Sequence, residues 1–561
     1  MTSRILFLAA FPACLPVLAA CDGRDMVGPP EEECDPASGI GCDAPVGVAC
    51  DPQLVPAGRS CERWTAANGP YVLIRTDTFD ILVIDAGAEV RAAADVSLVA
   101  AKLLIEGTAA EPVLFRPLVT GARWGGIATP GFGADTSVVR HARIESAACG
   151  IMATAPAEIA DTHVTDVAGV GVVLHGGSLV RSVIDGAEAA GVLIGSNSHA
   201  RIEDTTVRGS GSGIGLPCVR CYVHVSGGRI EHNTGNGIWT TFGDPRTATV
   251  IFETPVRIAG NGGYPLIVAL ISLRGVMSTT EAQNGLVGNG RDTIVAFAGT
   301  TWGSTLVPEG DITLRSVLPL RVQLACPGAL PQMVMEAGSS LMVESGGCIG
   351  PWGVTPLPLL LGTPADPVSV RGDGATLGLT RPGNDTVHVR NAQFHSIRLA
   401  TVDQPVNLQD LELESSTLVI TSAGSRMSRV RTTGGGRTGL YEYQQEAAVT
   451  LGADVRMAHT IIEGSRHHGL HILGGDPVVT DCAIRGSAGH GVWVEQGTLR
   501  IERCNLVSNT GNGLHNSVPD TVQATSNWWG DPTGPRGPNG DGVDGPVRYV
   551  PFLTAAGNEP F

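Results

Sequence analysis

The chain has 561 residues, of which 75 are glycine and 4% are aromatic. This composition excludes helical repeats rich in Ala, Leu, Glu and Lys, and it favours many tight coils over one large core. The 54 acidic and 37 basic residues give a formal net charge of −17. We therefore expect no nucleic-acid partner, and a polyanionic glycan would be repelled except beside a local cluster of arginines.

Residues 1–20 have the features of an export signal. Arg4 supplies the positive start, and the apolar stretch at 5–17 is too short to span a bilayer. The following Leu-Ala-Ala-Cys resembles the lipobox of bacterial lipoproteins, whose cysteine receives diacylglycerol. The resemblance implies that Cys21 is the mature N-terminus and that membrane lipid is its partner, the alternative being an ordinary signal peptide with a chance cysteine. We expect an exported protein, lipid-anchored to a bacterial membrane in the cell envelope or at the surface.

Residues 21–62 are predicted to be a disordered spacer, rich in Gly, Pro and Glu. An oxidising environment after export favours two disulfides here, with three possible pairings. The spacings between its cysteines match no zinc pattern and no histidine lies among them, so a metal site is not expected. The four cysteines concerned are Cys34, Cys42, Cys50 and Cys61.

The remainder of the chain is internally duplicated. The sequence GTAAEPVLFRP at 107–117 has a second copy, GTPADPVSVRG, at 362–372. The strand sequence RWGGI at 123–127 belongs to the opening of the first copy. We predict two modules, at 63–300 and 301–526.

Short phrases of similar length recur within each module. The turn glycines Gly469, Gly491 and Gly513 follow one another at a constant interval. A fixed period of roughly two dozen residues is typical of a solenoid, in which each repeat stacks on the next. Polar and apolar residues alternate within each phrase, which is strand periodicity. The equivalent glycines of the first module, at slightly less regular intervals, are Gly171, Gly191, Gly213 and Gly237.

Alternate positions around each turn glycine are predicted to point into the solenoid. An Asn-Thr-Gly-Asn-Gly turn occurs at 233–237 and 509–513. We expect its asparagine to adopt left-handed backbone and to hydrogen-bond its neighbour in the next coil. The predicted inward residues of the second module are Thr460, Ile462, Leu470, Ile472, Cys482, Ile484, Val492, Val494, Cys504, Leu506, Leu514 and Asn516.

This pattern resembles the right-handed parallel β-helix family, the fold of pectate lyases and many bacterial surface proteins. The resemblance implies an all-β fold, a right-handed parallel β-helix built from two duplicated modules. Members of the family bind, catalyse or serve as structure, so the fold alone carries little information on function. We expect a monomer without a cofactor.

Residues 527–561 resemble the closing segment of such a β-helix. Trp528 and Trp529 are expected to cover the last coil, and the Pro and Gly residues after them to prevent another strand from pairing. An uncovered end of a solenoid would be an aggregating edge. We therefore predict a capping segment.

The second position after each turn glycine is expected to face solvent. In the second module this position holds His471, Trp493 and His515, and in the first it includes Trp239. A row of aromatic side chains at strand spacing suits contact with sugar rings. These four residues are our carbohydrate-binding candidates, and the alternative is that another segment covers the row and makes it a packing surface.

Five histidines cluster at 467–515 in the second module, and His468 and His490 are expected to stack one coil apart. A transition metal could bind such a pair. No carboxylate or cysteine in the same register completes a site, so we expect no metal.

The tenth position before each turn glycine is charged. It holds Asp161 and Arg181 in the first module, where Asp204 is nine residues before Gly213, and His459, Asp481 and Arg503 in the second. We interpret these residues as outward ion pairs between neighbouring coils. Acid and base catalysis by Asp161 and Asp204 is the alternative, but Arg181 lies between them, so no catalytic residue is assigned.

Two pairs of cysteines are spaced by one coil. Cys482 and Cys504 are separated by the same interval as the turn glycines, and so are Cys326 and Cys348. Stacked coils bring α-carbons within the range that a disulfide accepts. Each pair is therefore a disulfide candidate, with stacked buried thiols as the equal alternative. The CxxC at 218–221 is interpreted as a local bridge or a chance spacing.

Together these patterns predict a lipid-anchored β-helix with a non-catalytic binding or structural role at the cell envelope and a polysaccharide as its ligand. The alternative is a polysaccharide lyase or glycoside hydrolase that acts in the groove of the β-helix. Product release from glycans would distinguish the enzyme from the binding protein.

Overall fold

The computed structural model describes residues 61–130, 136–218, 221–240, 248–269, 285–298, 312–314, 320–324, 333–345, 355–356, 359–372, 376–379, 386–401, 404–436 and 447–560. The predicted signal peptide, Cys21 and most of the spacer, including Cys34, Cys42 and Cys50, lie outside these ranges. Cys326 and Cys348 also lie outside them. Within the described ranges, no helix has the length and apolar character needed to cross a bilayer.

The fold is an all-β parallel solenoid, as the repeat pattern predicted. In the described residues the strands of one coil pair in parallel with those of the next, and one short 3-10 helix lies at Ala66–Asn68. Two compact units divide the chain, Met1–Ala296 and Phe297–Phe561. The division lies beside the predicted module junction at residue 300.

Unit 1, with the strand that crosses into unit 2, contains the following strands: β1 Cys61–Trp64, β2 Tyr71–Leu73, β3 Asp77–Asp85, β4 Glu89–Ala92, β5 Ser97–Glu106, β6 Val113–Pro117, β7 Gly126–Thr129, β8 Ser137–Arg140, β9 Ala142–Glu145, β10 Ile151–Ala153, β11 Ala157–Ala160, β12 His163–Val167, β13 Val170–Leu174, β14 Gly177–Val180, β15 Val183–Ala187, β16 Ala190–Ile194, β17 His199–Glu203, β18 Thr206–Arg208, β19 Ile214–Leu216, β20 Tyr222–Ser226, β21 Arg229–Glu231, β22 Ile238–Thr240, β23 Thr249–Phe252, β24 Arg257–Ala259, β25 Leu266–Ala269 and β26 Ile294–Ala298.

Unit 2 contains the following strands: β27 Ile312–Leu314, β28 Leu320–Leu324, β29 Met333–Glu336, β30 Ser340–Ser345, β31 Thr355–Pro356, β32 Leu359–Leu361, β33 Val368–Gly372, β34 Thr376–Leu379, β35 Val387–His395, β36 Arg398–Thr401, β37 Val406–Glu414, β38 Thr417–Ile420, β39 Arg426–Thr433, β40 Val449–Leu451, β41 Arg456–Ala458, β42 Ile461–Glu463, β43 Leu470–Leu473, β44 Val478–Thr480, β45 Ala483–Arg485, β46 Val492–Gln496, β47 Arg500–Glu502, β48 Asn505–Val507, β49 Leu514–Asn516, β50 Val522–Gln523, β51 Val543–Asp544 and β52 Val547–Arg548.

Equivalent residues of successive coils are register partners. In unit 2, Leu470 pairs with Val492 and Val492 with Leu514. The turn glycines directly before these residues therefore form a column at strand spacing, as predicted. The inward positions are confirmed as well, because the predicted inward residues of this unit are buried. Each coil thus buries alternate side chains inside the solenoid and leaves the others on its surface.

Each regular coil has two corners in the left-handed backbone region, and a constant short segment separates them. In the coil at 481–486, Asp481 has a φ of 55° and Gly486 a φ of 66°. Asx residues and glycine adopt this region most readily, and other side chains do so at a cost in free energy. The other pairs of corners are His141 with Ser146, Asp161 with Asp166, Arg181 with Gly186, Asp204 with Gly209, Gly227 with His232, Asn391 with Ser396, Asp410 with Ser415, Arg429 with Gly434, His459 with Gly464 and Arg503 with Ser508.

A buried column of asparagines stabilises unit 1. The Nδ2 of Asn233 donates to Oδ1 of Asn261 at 2.9 Å, and Asn261 repeats the contact with Asn289 at 2.9 Å. The predicted hydrogen bond from Asn233 to its neighbour in the next coil is therefore confirmed. The predicted left-handed backbone at Asn233 is wrong, because the corner falls one residue earlier, at His232.

The closing segment does more than cover the last coil. Trp529 is fully buried and packs against Gly513. However, β51 pairs with β49 and β52 with β50, so the expectation that no further strand would pair is wrong. The segment continues across earlier coils, where Gly557 exchanges two hydrogen bonds with the side chain of Asn505 and Glu559 forms an ion pair with Arg485.

Candidate functional site

Five aromatic rings form a continuous array on unit 2, which we call the ring array: His468, His471, His490, Trp493 and His515. Strands β43, β46 and β49 supply one column of the array, because His471 pairs with Trp493 and Trp493 with His515 in the sheet register. The turn before each strand supplies the second column, His468 and His490, one coil apart. The predicted row of aromatic side chains is therefore present.

His471 is packed rather than freely exposed. Its ring lies parallel to the indole of Trp493, with 4.3 Å between centroids and 1° between planes. Its Nε2 is 2.9 Å from a carboxylate oxygen of Glu495. The residue is 7% exposed, so the expectation that this position projects into solvent is wrong at His471. Stacking on the larger ring of the next coil removes it from water.

The second column is fixed by the backbone. The ring of His468 stacks on that of His490, with 5.2 Å between centroids and 11° between planes. The Nδ1 of His468 accepts the backbone N–H of His490 at 2.9 Å, and the Nδ1 of His490 accepts that of Asn512 at 2.9 Å. Because both Nδ1 atoms are acceptors, each neutral ring carries its proton on Nε2.

His515 leaves the first column and joins the second. Its ring stacks on His490 with 4.7 Å between centroids. Its Nδ1 lies 2.8 Å from a carboxylate oxygen of Asp544, without the alignment of a hydrogen bond. Its Nε2 lies 3.0 Å from the hydroxyl of Ser517, which also accepts the indole N–H of Trp493 at 3.0 Å. The hydroxyl thus fixes both rings.

Three imidazoles of the ring array are held uncharged at neutral pH. Burial and, to a lesser extent, the charges of the neighbouring histidines lower the pKa of His468 to about 4. Burial also lowers the pKa of His471, against the opposing effect of Glu495. At His490, burial and then the charge of His515 lower the pKa, and Asp544 opposes them. Burial disfavours the charged form of each ring.

The geometry determines which contacts the ring array can offer a ligand. Rings that stack along the solenoid present their edges to solvent, and their faces contact one another. Trp493 is the exception, because one indole face contacts His471 whereas His515, on the other side, stacks on His490 instead. Trp493 is partly exposed. Among the described rings only His471 stacks on the indole, the ring of His468 lies tilted 4.9 Å away, and polar groups of Ser517 and Glu495 are nearby.

The histidines do not converge as metal ligands would. Stacked parallel rings direct their nitrogen atoms side by side, and Nδ1 of His468 and of His490 already accepts a backbone N–H. Within the described ranges no group of three or more His, Cys, Asp or Glu residues is arranged to hold a metal ion.

Trp239, the candidate in unit 1, has different surroundings. It is the register partner of Gly215, and its Cζ2 would lie 2.7 Å from a Cβ at that position. The glycine therefore lets the indole lie across the sheet. Its ring packs against a buried cluster that includes Val170, Ala190 and Leu193. Trp239 is thus a partly buried packing residue of unit 1 and does not belong to the ring array.

Four of the six charged corner residues form ion pairs between coils, as interpreted from the sequence. Arg181 contacts Asp161 through two hydrogen bonds of 2.9 and 2.7 Å. Arg503 contacts Asp481 through two of 2.7 Å, and this contact holds the pKa of Asp481 below its usual range. Paired carboxylates of this kind are held ionised, which suits a structural role.

The cysteines fall into two states. Cys482 and Cys504 are buried free thiols, so the structure has the second of the two sequence alternatives. The backbone N–H of Cys482 donates to Sγ of Cys504 at 3.4 Å, and burial raises the pKa of Cys504. Cys218 and Cys221 form the local disulfide. Cys61 and Cys149 are each disulfide-bonded as well, and the repeat pattern does not single out Cys149.

Sequence reasoning missed the polar partners of the ring array. Glu495 follows Trp493 by two residues in the same strand, so strand alternation could have placed both on the surface. Asp544 lies in the closing segment, where no repeat signals its register. Ser517 directly follows β49, and no repeat pattern places its hydroxyl between two rings.

No protein-family model, curated protein or solved structure matches the chain. The chemistry of the site is therefore the basis on which its function is inferred.

Proposed function

We propose that the protein is a non-catalytic binding protein of the bacterial cell envelope that holds a carbohydrate at the ring array. Trp493 carries this proposal, because its second indole face is not stacked on a described histidine and its N–H is fixed by Ser517 at 3.0 Å. Sugar rings bind aromatic faces through their apolar C–H side and keep their hydroxyls hydrated. A fixed indole loses little conformational freedom when a ligand binds.

The polar rim of the ring array supports a neutral sugar. The Nε2–H groups of His468 and His490 are donors, since their Nδ1 atoms accept backbone N–H groups. Glu495 and Asp544 provide acceptors, with side chains 40% and 61% exposed. Donors and acceptors beside an apolar face match the hydroxyls and the C–H face of a pyranose.

Export and a lipid anchor complete the proposal. The lipobox at 18–21 supports attachment of diacylglycerol to Cys21, and two acyl chains or more give stable membrane anchoring. Cys21→Ser should move the protein from the membrane fraction to the soluble fraction of cells. A variant that stays membrane-bound after this change would contradict the anchor.

The binding experiment compares the purified full chain with Trp493→Ala on an array of neutral and acidic glycans. We expect retention of at least one neutral glycan, and at least tenfold weaker retention by the variant, which corresponds to about 1.4 kcal/mol. Trp239→Ala is the matched control and should bind like the parent. Equal binding by the parent and Trp493→Ala would refute the site, and no retention at all would leave a structural role for the solenoid.

A lyase or hydrolase remains the second candidate, and one observation favours it. His471 and Glu495 form an imidazole–carboxylate pair at 2.9 Å, which is the arrangement of a general base. The 7% exposure of His471 opposes it, since substrate must reach the base. Release of unsaturated or reducing ends from a retained glycan, lost in Glu495→Gln, would establish the enzyme in place of the binding protein.

A further inference from the structure

Two arginines of unit 2 lie side by side on neighbouring coils. Arg426 begins β39 and Arg456 begins β41, and the two are register partners in the parallel sheet. Both are exposed. Neighbouring strands are about 4.8 Å apart, so two guanidinium groups of like charge share one patch of surface. Like charges directly opposite each other on paired strands are destabilising.

Some surface arginines of this unit have carboxylate partners. Arg503 binds Asp481, and Arg500, in the same outward column as Arg456, binds its own neighbour Glu502 at 2.8 Å. Across the described part of the chain, neither Arg426 nor Arg456 forms an ion pair. Their charges are therefore available to a ligand.

A cleft of about 410 Å³ opens between these arginines and the turns that precede their strands. Asp454 and Asp476 lie on its wall together with the turn at 424–425. A cleft of this volume falls within the range of small-molecule sites in proteins. It can hold one sugar residue or a group of similar size.

The two aspartates of the cleft stabilise its turns and form no ion pair with its arginines. Oδ1 of Asp454 accepts the backbone N–H of Asp476 at 2.7 Å, and Oδ1 of Asp476 accepts the hydroxyl of Thr498 at 2.7 Å. An ionised carboxylate offers about four acceptor positions. Each aspartate thus keeps positions that can accept further hydrogen bonds.

We propose that this cleft binds a carboxylate group flanked by hydroxyl groups, the chemistry that an acidic sugar presents as a free molecule or within a polymer. Guanidinium groups bind carboxylates through paired, charge-assisted hydrogen bonds. Asp454 and Asp476 accept from the neighbouring hydroxyls. Inorganic phosphate matches less well, because it brings up to two negative charges against these aspartates. The overall charge of −17 confines binding of an acidic ligand to such a local cluster of arginines.

The ligand class rests on the proposed carbohydrate function, but the site does not depend on the ring array. The cleft lies at the start of β39 and β41, whereas the ring array lies on β43, β46, β49 and their turns. Variants of the two sites therefore test the two proposals separately.

The test is titration calorimetry of the purified full chain with glucuronate, a glucuronate oligosaccharide, glucose, acetate and phosphate. We expect saturable binding of glucuronate and at least tenfold weaker binding of glucose, which lacks the carboxylate, and of acetate, which lacks the hydroxyls. Tighter binding of the oligosaccharide identifies a polymer as the source, and equal binding identifies a free sugar acid. Both of these results support the site.

The variants are Arg426→Gln and Arg456→Gln, with Arg500→Gln as the matched control. Each of the first two should weaken glucuronate binding at least tenfold, with an unchanged or higher melting temperature because a like-charge contact is removed. Arg500→Gln and Trp493→Ala should leave glucuronate binding unchanged. An equal loss in Arg500→Gln would show diffuse charge attraction and overturn the proposal.

Three other results would also overturn it. These are binding of glucose or phosphate as tight as that of glucuronate, unaltered binding in both arginine variants, and no saturable binding up to about 10 mM, tenfold above the Kd of a weak site of about 1 mM. Each of these results concerns the cleft alone, because the retention of neutral glycans by Trp493→Ala is measured in a separate experiment.

Discussion

His471 lies flat against Trp493, with ring planes 1° apart and centroids separated by 4.3 Å, while its Nε2 contacts Glu495 at 2.9 Å. The imidazole therefore belongs to the packed part of the ring array, and the indole offers the contact surface. Substitution of His471 should therefore lower stability, whereas substitution of Trp493 should weaken binding.

Replacement of His471 with alanine should destabilise unit 2. The change removes a buried ring from its stack and leaves Glu495 without its partner, so we expect a loss of about 1–3 kcal/mol in the free energy of unfolding. Denaturant unfolding measures the loss. His515→Ala is the control, because its side chain is 26% exposed, and it should cost less than about 1 kcal/mol. A larger cost at His515 than at His471 would contradict the assignment of the packed ring.

Acidification should destabilise the same coils. In the fold the pKa of His468 lies at about 4, below its ordinary value of 6.5, so the unfolded chain binds a proton first as the pH falls. Stability is full above about pH 6.5 and is lost progressively toward pH 4. After allowance for solvent screening we expect about 1–2 kcal/mol from this residue. The measurement is the melting temperature between pH 7 and pH 4.

The paired variant for this test is His468→Asn. An asparagine keeps an acceptor for the N–H of His490 without a titrating group, and the chain itself carries Asn512 at the equivalent position two coils later. The variant should flatten the dependence of melting temperature on pH. His459→Asn, at a left-handed corner, is the control and should retain the full dependence. If the melting temperature depends on pH equally in the parent, His468→Asn and His459→Asn, His468 is not the source of the pH dependence.

At the corner residue Arg503, backbone conformation should matter more than the ion pair. Arg503 has a φ of 54°, and its exposed pairing with Asp481 contributes less than about 1 kcal/mol. Arg503→Gly should therefore be nearly neutral, whereas Arg503→Val should cost about 1–3 kcal/mol, because a β-branched side chain is strained there. Arg500→Val, on the adjacent strand, controls for loss of an arginine. A lower melting temperature for Arg503→Gly than for Arg503→Val would contradict this explanation.

The buried thiols predict a specific substitution pattern. Sγ of Cys504 accepts the N–H of Cys482, and Oδ1 of Asn527 accepts the N–H of Cys504 at 2.8 Å. Cys504→Ser keeps an acceptor and should be tolerated, whereas Cys504→Val leaves a buried N–H unpaired and should cost about 1–3 kcal/mol. Alkylation in denaturant followed by peptide mass spectrometry should label both cysteines. A disulfide-linked peptide would contradict the thiol state.

The fold was predictable because a single period controls it. Gly469, Gly491 and Gly513 are spaced evenly, and the alternation around them follows from strand geometry. The ion pair of Asp481 with Arg503 was predictable for the same reason, since residues one period apart become neighbours. Each of these features depends on spacing alone.

The details of the sites depend on features that spacing does not contain. The burial of His471 is determined by the size of the ring on the next coil, and Asp544 reaches the ring array from an irregular closing segment. The pairing of Arg426 with Arg456 escaped prediction because the coil between them is longer than the next coil, which runs from Arg456 to Val478. A search at a fixed period does not align them.

The paired corners also bear on protein engineering. The segment between the two corners of each regular coil keeps the same length, although the first corners of consecutive coils are much farther apart in sequence at Arg429 and His459 than at Asn391 and Asp410. Variation in length is thus accommodated outside the segment between the corners. A foreign peptide grafted beyond the second corner should leave the stacking of the coils intact, whereas one extra residue between the corners should reverse the side chains that point inward. The solenoid is therefore a scaffold for peptide display on one side of each coil.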